Sequence, residues 1–249
     1  MKFGLLARLL LKDPSEFCDR VLTIAESRMD RINKPGTMPT ISYLELARRM
    51  SEVLGVDIER FLNEDALREI EGQIDSSRPG LMGGAERFHD ATFGIARLCY
   101  AVSRARRPEV VIETGVGNGV TSSFFLQALA VNGKGRLWSI DLPPLGATSG
   151  MLIPDALKSR WELSRARTRK VLPELIRALG TVDVFLHDSL HSYWNMRFEF
   201  GAIWSALAES GVLLSDDVTM NRAFEEFVRS HPNRFAAVSS NPVFGVALK

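Results

Sequence analysis

Apolar residues change their spacing partway along the chain. Through the first third they recur at helical intervals: Leu44, Ala47 and Leu54 in "ISYLELARRMSEVLGV", then Ile58, Phe61, Leu62 and Ile74 in "DIERFLNEDALREIEGQI". The breaker-rich stretch "SSRPGLMGG", residues 76 to 84, closes this part, so residues 1–84 are expected to form a helical cap or lid region and residues 85–249 a second domain. From Ala85 onward, helical stretches alternate with short apolar runs that suit buried strands. A helix through "FGIARLCYAVSRA" leads to strand "EVVIET", a glycine-rich turn and helix "SSFFLQALAV". Strands "RLWSID", "WELSRA", "VDVFLHD" and "GVLLSDD" follow. The last two flank a helix, "SYWNMRFEFGAIWSALAES", whose Tyr193, Met196, Phe200, Ile203, Trp204 and Leu207 form one apolar stripe read as core. This alternation predicts an α/β fold with a mostly parallel sheet covered on both faces. "RFAAVSS" and "VFGVALK" are joined too tightly for a parallel crossover, which predicts a terminal antiparallel strand.

Composition narrows the class without choosing a function. With 45% hydrophobic and 24% charged residues, 249 residues suffice for a substantial core. A net charge of +1, from 31 basic and 30 acidic residues, offers no global attraction to nucleic acid or an anionic membrane. Cys18 and Cys99 stand far apart, without zinc-site or disulfide spacing, and fit a reducing cytoplasm. The opening "MKFGLLARLLLKDP" has a short apolar run split by Arg8 and no small-residue cleavage site, so it reads as an amphipathic docking helix rather than a signal peptide. No apolar run has the length of a membrane span.

"VVIETGVGNGV" sets Gly115, Gly117 and Gly119 between a strand and a helix, where glycine lets backbone approach a ligand and the helix start presents unpaired N–H groups. The dinucleotide fingerprint would need glycine at position 120, which is Val120, and an acid about 20 residues after the first glycine. A nicotinamide enzyme is thereby disfavoured. The segment resembles motif I of the class I S-adenosylmethionine-dependent methyltransferases, with Glu113, Gly115, Gly117 and Gly119 matching its acid and glycines. That resemblance implies a Rossmann-like fold with a seven-stranded sheet, and S-adenosylmethionine contacts from these four residues with Asn118, Thr121 and Ser122. It also implies that Asp141, ending strand "RLWSID", accepts the ribose hydroxyls; the alternative for Asp141 is a turn ahead of Pro143 and Pro144.

The strand "GVLLSDD" ends in Asp216 and Asp217, and "VDVFLHD" ends in Asp188. In an open parallel sheet, ligands bind beyond the carboxyl ends of the strands, so these acids converge on one edge. Two bare carboxylates ~4 Å apart repel by about 4 kcal/mol at an effective dielectric of ~20. A cluster of three therefore needs a cation or a shared proton, and all-oxygen donors select a hard ion such as magnesium. His191, three residues beyond Asp188, can face the same crevice as a proton acceptor, whereas His187 alternates to the other face, and His89 and His231 have no supporting partners. The alternatives are a capped turn for the aspartate pair and a local hydrogen bond for His191.

"VDVFLHDSLHSYWNMRFEF" through "LAESGVLLSDDV" is similar to the metal-dependent O-methyltransferases of macrolide sugars and to the related cephalosporin hydroxylase-like branch. This likeness covers roughly Ala85 to Lys249 and implies that Asp188, Asp216 and Asp217 hold magnesium while His191 acts as base on a hydroxylated small molecule. "RARTRK" stands where relatives carry a Gly-Asp-Ser-like turn, and no adenine contact is assigned. Its Arg165, Arg167 and Arg169 are expected to alternate along an edge strand rather than to bind RNA. A small-molecule partner, no nucleic acid, no membrane span and a homodimer complete the expectation. Metal-independent transfer and a non-catalytic cofactor-binding protein remain as alternatives.

Overall fold

A computed structural model describes residues 9–29, 35–77 and 93–249. The first eight residues, most of the expected boundary at 76–84 and His89 lie outside them. The strands are β1 (Thr40–Ile41), β2 (Val110–Thr114), β3 (Arg136–Asp141), β4 (Trp161–Arg165), β5 (Val182–His187), β6 (Leu207–Asp216), β7 (Phe235–Ser240) and β8 (Val243–Leu248). The helices are α1 (Pro14–Met29), α2 (Tyr43–Leu54), α3 (Ile58–Leu62), α4 (Asp65–Ser77), α5 (Phe93–Arg106), α6 (Val120–Asn132), α7 (Thr168–Leu179), α8 (Tyr193–Ala206) and α9 (Ala223–Ser230).

One sheet runs in the order β1-β7-β8-β6-β5-β2-β3-β4. From β2 the chain winds outward through β3 to β4, then returns to place β5 and β6 on the other side of β2, all parallel. The reversal between β2 and β5 opens a crevice at the carboxyl ends of the strands. β8 inserts antiparallel between β6 and β7. The expected Rossmann-like α/β architecture is the observed one.

Alternating side chains divide the core between the two faces of the sheet. Val111, Val184 and Leu214 pack with α5, α6 and the helices of the first third; Ile112, Phe185 and Leu213 pack with α7, α8 and α9. Residues 43–77 thus lie in the same core as α5 and α6, through Leu46, Met50, Ile58, Ile70 and Ile74. No described helix is long and apolar enough to cross a membrane.

Four local expectations are corrected. An eighth strand, β1, pairs parallel with β7 through Thr40 and Ile41; two residues are too few for alternation to register. The helix expected from Ile41 starts at Tyr43, where the Ser42 hydroxyl accepts from the Glu45 N–H. That start turns Leu46, Ala47 and Met50 inward and leaves Leu44 exposed. α8 stops at Ala206 and Leu207 enters β6, where a register shift opposite Val182 and Val184 and a left-handed Ser210 (φ 68°) absorb the irregularity. Finally, β4 is an edge strand, but it ends at Arg165; Arg167 caps α7 and Arg169 lies in its first turn, so the three arginines do not alternate along the strand.

Candidate functional site

The carboxyl ends of β2, β3, β5 and β6 surround a cavity of about 1200 Å³. Gly115 leaves β2 at φ 83°, and a Cβ there would lie 1.9 Å from the Asp188 carbonyl oxygen, so only glycine lets the loop close onto the turn after β5. Backbone bonds fix the junction: Gly115 N–H donates to Ile140 (2.8 Å) and Asp188 N–H to Thr114 (2.8 Å). Gly115, Gly117, Asn118 and Thr121 line the cavity; Gly119, at the N-cap of α6, and Ser122 do not.

Glu113 is wholly buried and also stands back from the cavity. Its carboxylate accepts from Thr121 Oγ1 (2.7 Å), Ser122 Oγ (2.6 Å) and Ser139 Oγ (2.8 Å), tying the start of α6 to β2 and β3. Burial pushes its pKa up to about 7 against the pull of those hydroxyls. Asp141 does line the cavity. It accepts from the Ser149 hydroxyl, and burial raises its pKa despite that bond and backbone N–H donors from Leu142, Val116 and Gly117.

Across the cavity, ligand atoms of Asp188, His191 and Asp216 lie within 4.8 Å of one another. Asp217 is outside this group: its side chain is 51% exposed, its backbone is left-handed (φ 49°), and its Oδ2 lies 3.7 Å from His191 Nδ1. Adjacent residues at a strand end point to opposite sides, which separates Asp217 from Asp216. His191 Nε2 lies 3.9 Å from Asp188 Oδ1 and is buried without a hydrogen-bond partner among the described residues. Burial, then the charge of Asp216, drive the Asp188 pKa well up; burial and Asp217 raise Asp216 to about 6. Burial first, and His187 second, push His191 down to about 3, leaving a neutral imidazole beside Asp188 and Asp216.

Behind this cluster lies a residue that the sequence reading passed over within the apolar stripe of α8. Glu199 is fully buried and accepts from His187 Nδ1 (2.7 Å), Thr114 Oγ1 (2.6 Å), Ser189 Oγ (2.9 Å) and Asn195 Nδ2 (2.8 Å). Burial is the largest influence and pushes its pKa up; His187, Thr114 and Thr168 outweigh it and hold the carboxyl below its ordinary range. An acid among aromatics was the available signal.

α1 supplies a wall through Arg20, Thr23 and Ser27. Glu26 pairs with Arg167 (2.7 Å) and accepts from Ser192 Oγ (2.7 Å), while Arg20 donates to the Pro143 carbonyl (2.9 Å). Arg165 reaches Glu16 and Arg169 reaches Glu26, each at 3.4 Å. The basic stretch therefore docks an acidic helix. These contacts span more than 100 residues of sequence, beyond the reach of local patterning.

Residues 112–218, from β2 through the glycine loop and the Asp188–His191 turn to Asp217, match a family described as a methyltransferase domain. Over these residues the chain is similar to a methyltransferase domain. Solved structures agree with this domain in fold. A Bacillus cereus O-methyltransferase in complex with SAH is similar at 15% identity and TM-score 0.54, covering 82% of this chain and 97% of that one. TomG from Streptomyces achromogenes, an O-methyltransferase involved in tomaymycin synthesis and solved with SAM, gives 17% identity and TM-score 0.56, covering 82% and 95%. The SAH-bound Podospora anserina methyltransferase PaMTH1 gives 15% and 0.53, covering 86% and 99%. No curated protein sequence matches the chain. The Rossmann-like fold expected from the glycine loop is thus the fold that these solved structures share.

Proposed function

We propose that the protein is an S-adenosylmethionine-dependent O-methyltransferase that methylates a hydroxyl of a small molecule with the aid of magnesium. One observation carries this reading: a single cavity has the glycine loop and Asp141 on one side and the Asp188, His191 and Asp216 cluster on the other. The solved structures similar in fold include O-methyltransferases bound to SAM or SAH, which supports the cofactor and the class of reaction.

The residues fit both groups. Gly115, Gly117, Asn118 and Thr121 offer a close backbone approach at the start of α6, and Asp141 offers an acceptor for ribose hydroxyls. Asp188 and Asp216, with Asp217 at the rim, form an oxygen-rich set; burial first, and the neighbouring carboxylates second, raise the pKa values of Asp188 and Asp216, and a cation would relieve both. When bound, S-adenosylmethionine supplies an activated methyl group and magnesium a Lewis acid that lowers the pKa of a hydroxyl. The chain's own part is alignment and proton removal. Neutral His191, whose Nε2 has no hydrogen-bond partner among the described residues, would accept the hydroxyl proton, and α1 forms one wall of the cavity.

Calorimetry with S-adenosylhomocysteine and with NAD, each with and without magnesium, tests the assignment. Binding of S-adenosylhomocysteine but not NAD, and methyl transfer that stops in EDTA, are the expected results. Preference for NAD refutes the cofactor, and full transfer in EDTA refutes the metal role.

A further inference from the structure

Glu199 is the one fully buried carboxylate of α8, and none of its oxygens faces the cavity. A buried ionised group is costly, and well-packed apolar residues serve core stability as well or better, so packing alone does not account for an acid at this position. Its partners at the strand ends give a different account. Thr114 is the residue before Gly115 and launches the glycine loop; His187 and Ser189 flank Asp188; Asn195 also donates to the Leu190 carbonyl (3.0 Å). One oxygen takes Thr114 and His187, the other Ser189 and Asn195. The carboxylate thus joins the end of β2 to the turn that carries Asp188 and His191, at the point where Gly115 and Asp188 touch.

We propose that Glu199 is a positioning residue that couples the two sides of the site, holding the Asp188–His191 turn against the glycine loop so that cofactor and cation reinforce each other's binding. The proposal rests on the methyl-transfer reading above. These partners all donate, which only a carboxylate satisfies fully; glutamine has the same shape but presents two donors of its own. Glu199→Gln therefore loosens the junction while keeping the core filled.

The full chain is titrated with S-adenosylhomocysteine alone, with magnesium alone, and with each in the presence of the other, and backbone amide exchange is followed over residues 187–192. In the unmodified protein, S-adenosylhomocysteine should tighten magnesium at least ~5-fold, magnesium should tighten S-adenosylhomocysteine by the same factor, and exchange at 187–192 should slow when S-adenosylhomocysteine binds. In Glu199→Gln, S-adenosylhomocysteine alone should bind within ~3-fold of the unmodified affinity, the mutual effect should fall below ~2-fold, and exchange at 187–192 should no longer respond. Ile203→Val, a core change on the same helix outside the network, should leave the coupling intact. Full coupling in Glu199→Gln, or equal loss in Ile203→Val, overturns the proposal. Should Glu199→Gln fail to fold, Thr114→Val and Ser189→Ala each cut one arm and should each lower the coupling at least ~2-fold; no change in either overturns it. If the unmodified protein binds S-adenosylhomocysteine but no magnesium, the cation reading fails and the exchange response alone decides the linkage. If it binds neither, both proposals fail.

Discussion

Gly115 stands where the two sides of the crevice meet, with no room for a side chain between its backbone and the Asp188 carbonyl. Gly115→Ala combines that clash with a left-handed φ, and should weaken S-adenosylhomocysteine binding more than ~10-fold and lower the melting temperature; calorimetry and thermal melting check both. In the proposed reaction His191 accepts the hydroxyl proton, so His191→Ala should cut kcat by about 10²-fold or more and change KM little. An unchanged kcat removes it from the chemistry. The cluster's proton balance sets a further expectation. Asp188 and Asp216 have raised pKa values, the latter about 6, and must lose their protons to hold a cation. Magnesium affinity should therefore increase as pH rises through about 6, with protons released to the buffer; His191, pushed down to about 3, stays neutral across that range. Calorimetry in buffers of different ionisation enthalpy reads this directly. At this scale the sequence was informative wherever a residue broke its local pattern: Asp141, Asp188 and Asp216 are acids ending apolar strands. Arg20 was missed because its partner Pro143 is distant in the chain, and Glu199 because an acid beside an apolar stripe does not reveal from spacing alone that it is buried.

Among the elements, α1 depends on contacts to the segment after β4. Glu26 and Arg167 are each only 12% exposed, and Ser192 adds a second bond to Glu26. Glu26→Gln should weaken the docking of α1, seen as faster amide exchange over residues 14–29 and a several-fold higher KM for the acceptor with cofactor affinity nearly kept. Retained protection and KM would mean that other contacts hold the helix. Elements built on apolar runs were legible: β2, β5 and the helices α5 and α6 appear where short apolar runs and the helical stretches between them put them. β1 was not, since a two-residue strand is defined by its partner β7 rather than by its own sequence.

Across the whole molecule, burial of acids at one sheet edge makes stability depend on pH. Burial raises the Glu113 pKa in the folded state to about 7 from its ordinary 4.5, so the stability it contributes is full below about 4.5 and is lost as pH rises through about 7. The loss is on the order of 3 kcal/mol from Glu113 alone. Without metal, the melting temperature should fall between those two pH values, and Glu113→Gln should flatten the profile; an unmodified slope in the variant would assign the dependence to other groups. The α/β order and the convergence of strand ends were legible because chain order and strand direction dictate them. The position of residues 43–77 within the main core was not, because helical periodicity tells which face is buried but not against what.

The central claim is that one crevice holds a methyl donor and a divalent cation on separate sets of residues. Its most direct test is titration of magnesium into the S-adenosylhomocysteine complex of the unmodified protein and of Asp188→Asn and Asp216→Asn. The account predicts one magnesium ion per chain, lost in both variants while S-adenosylhomocysteine still binds. No magnesium binding, or equal binding in all three proteins, would contradict it.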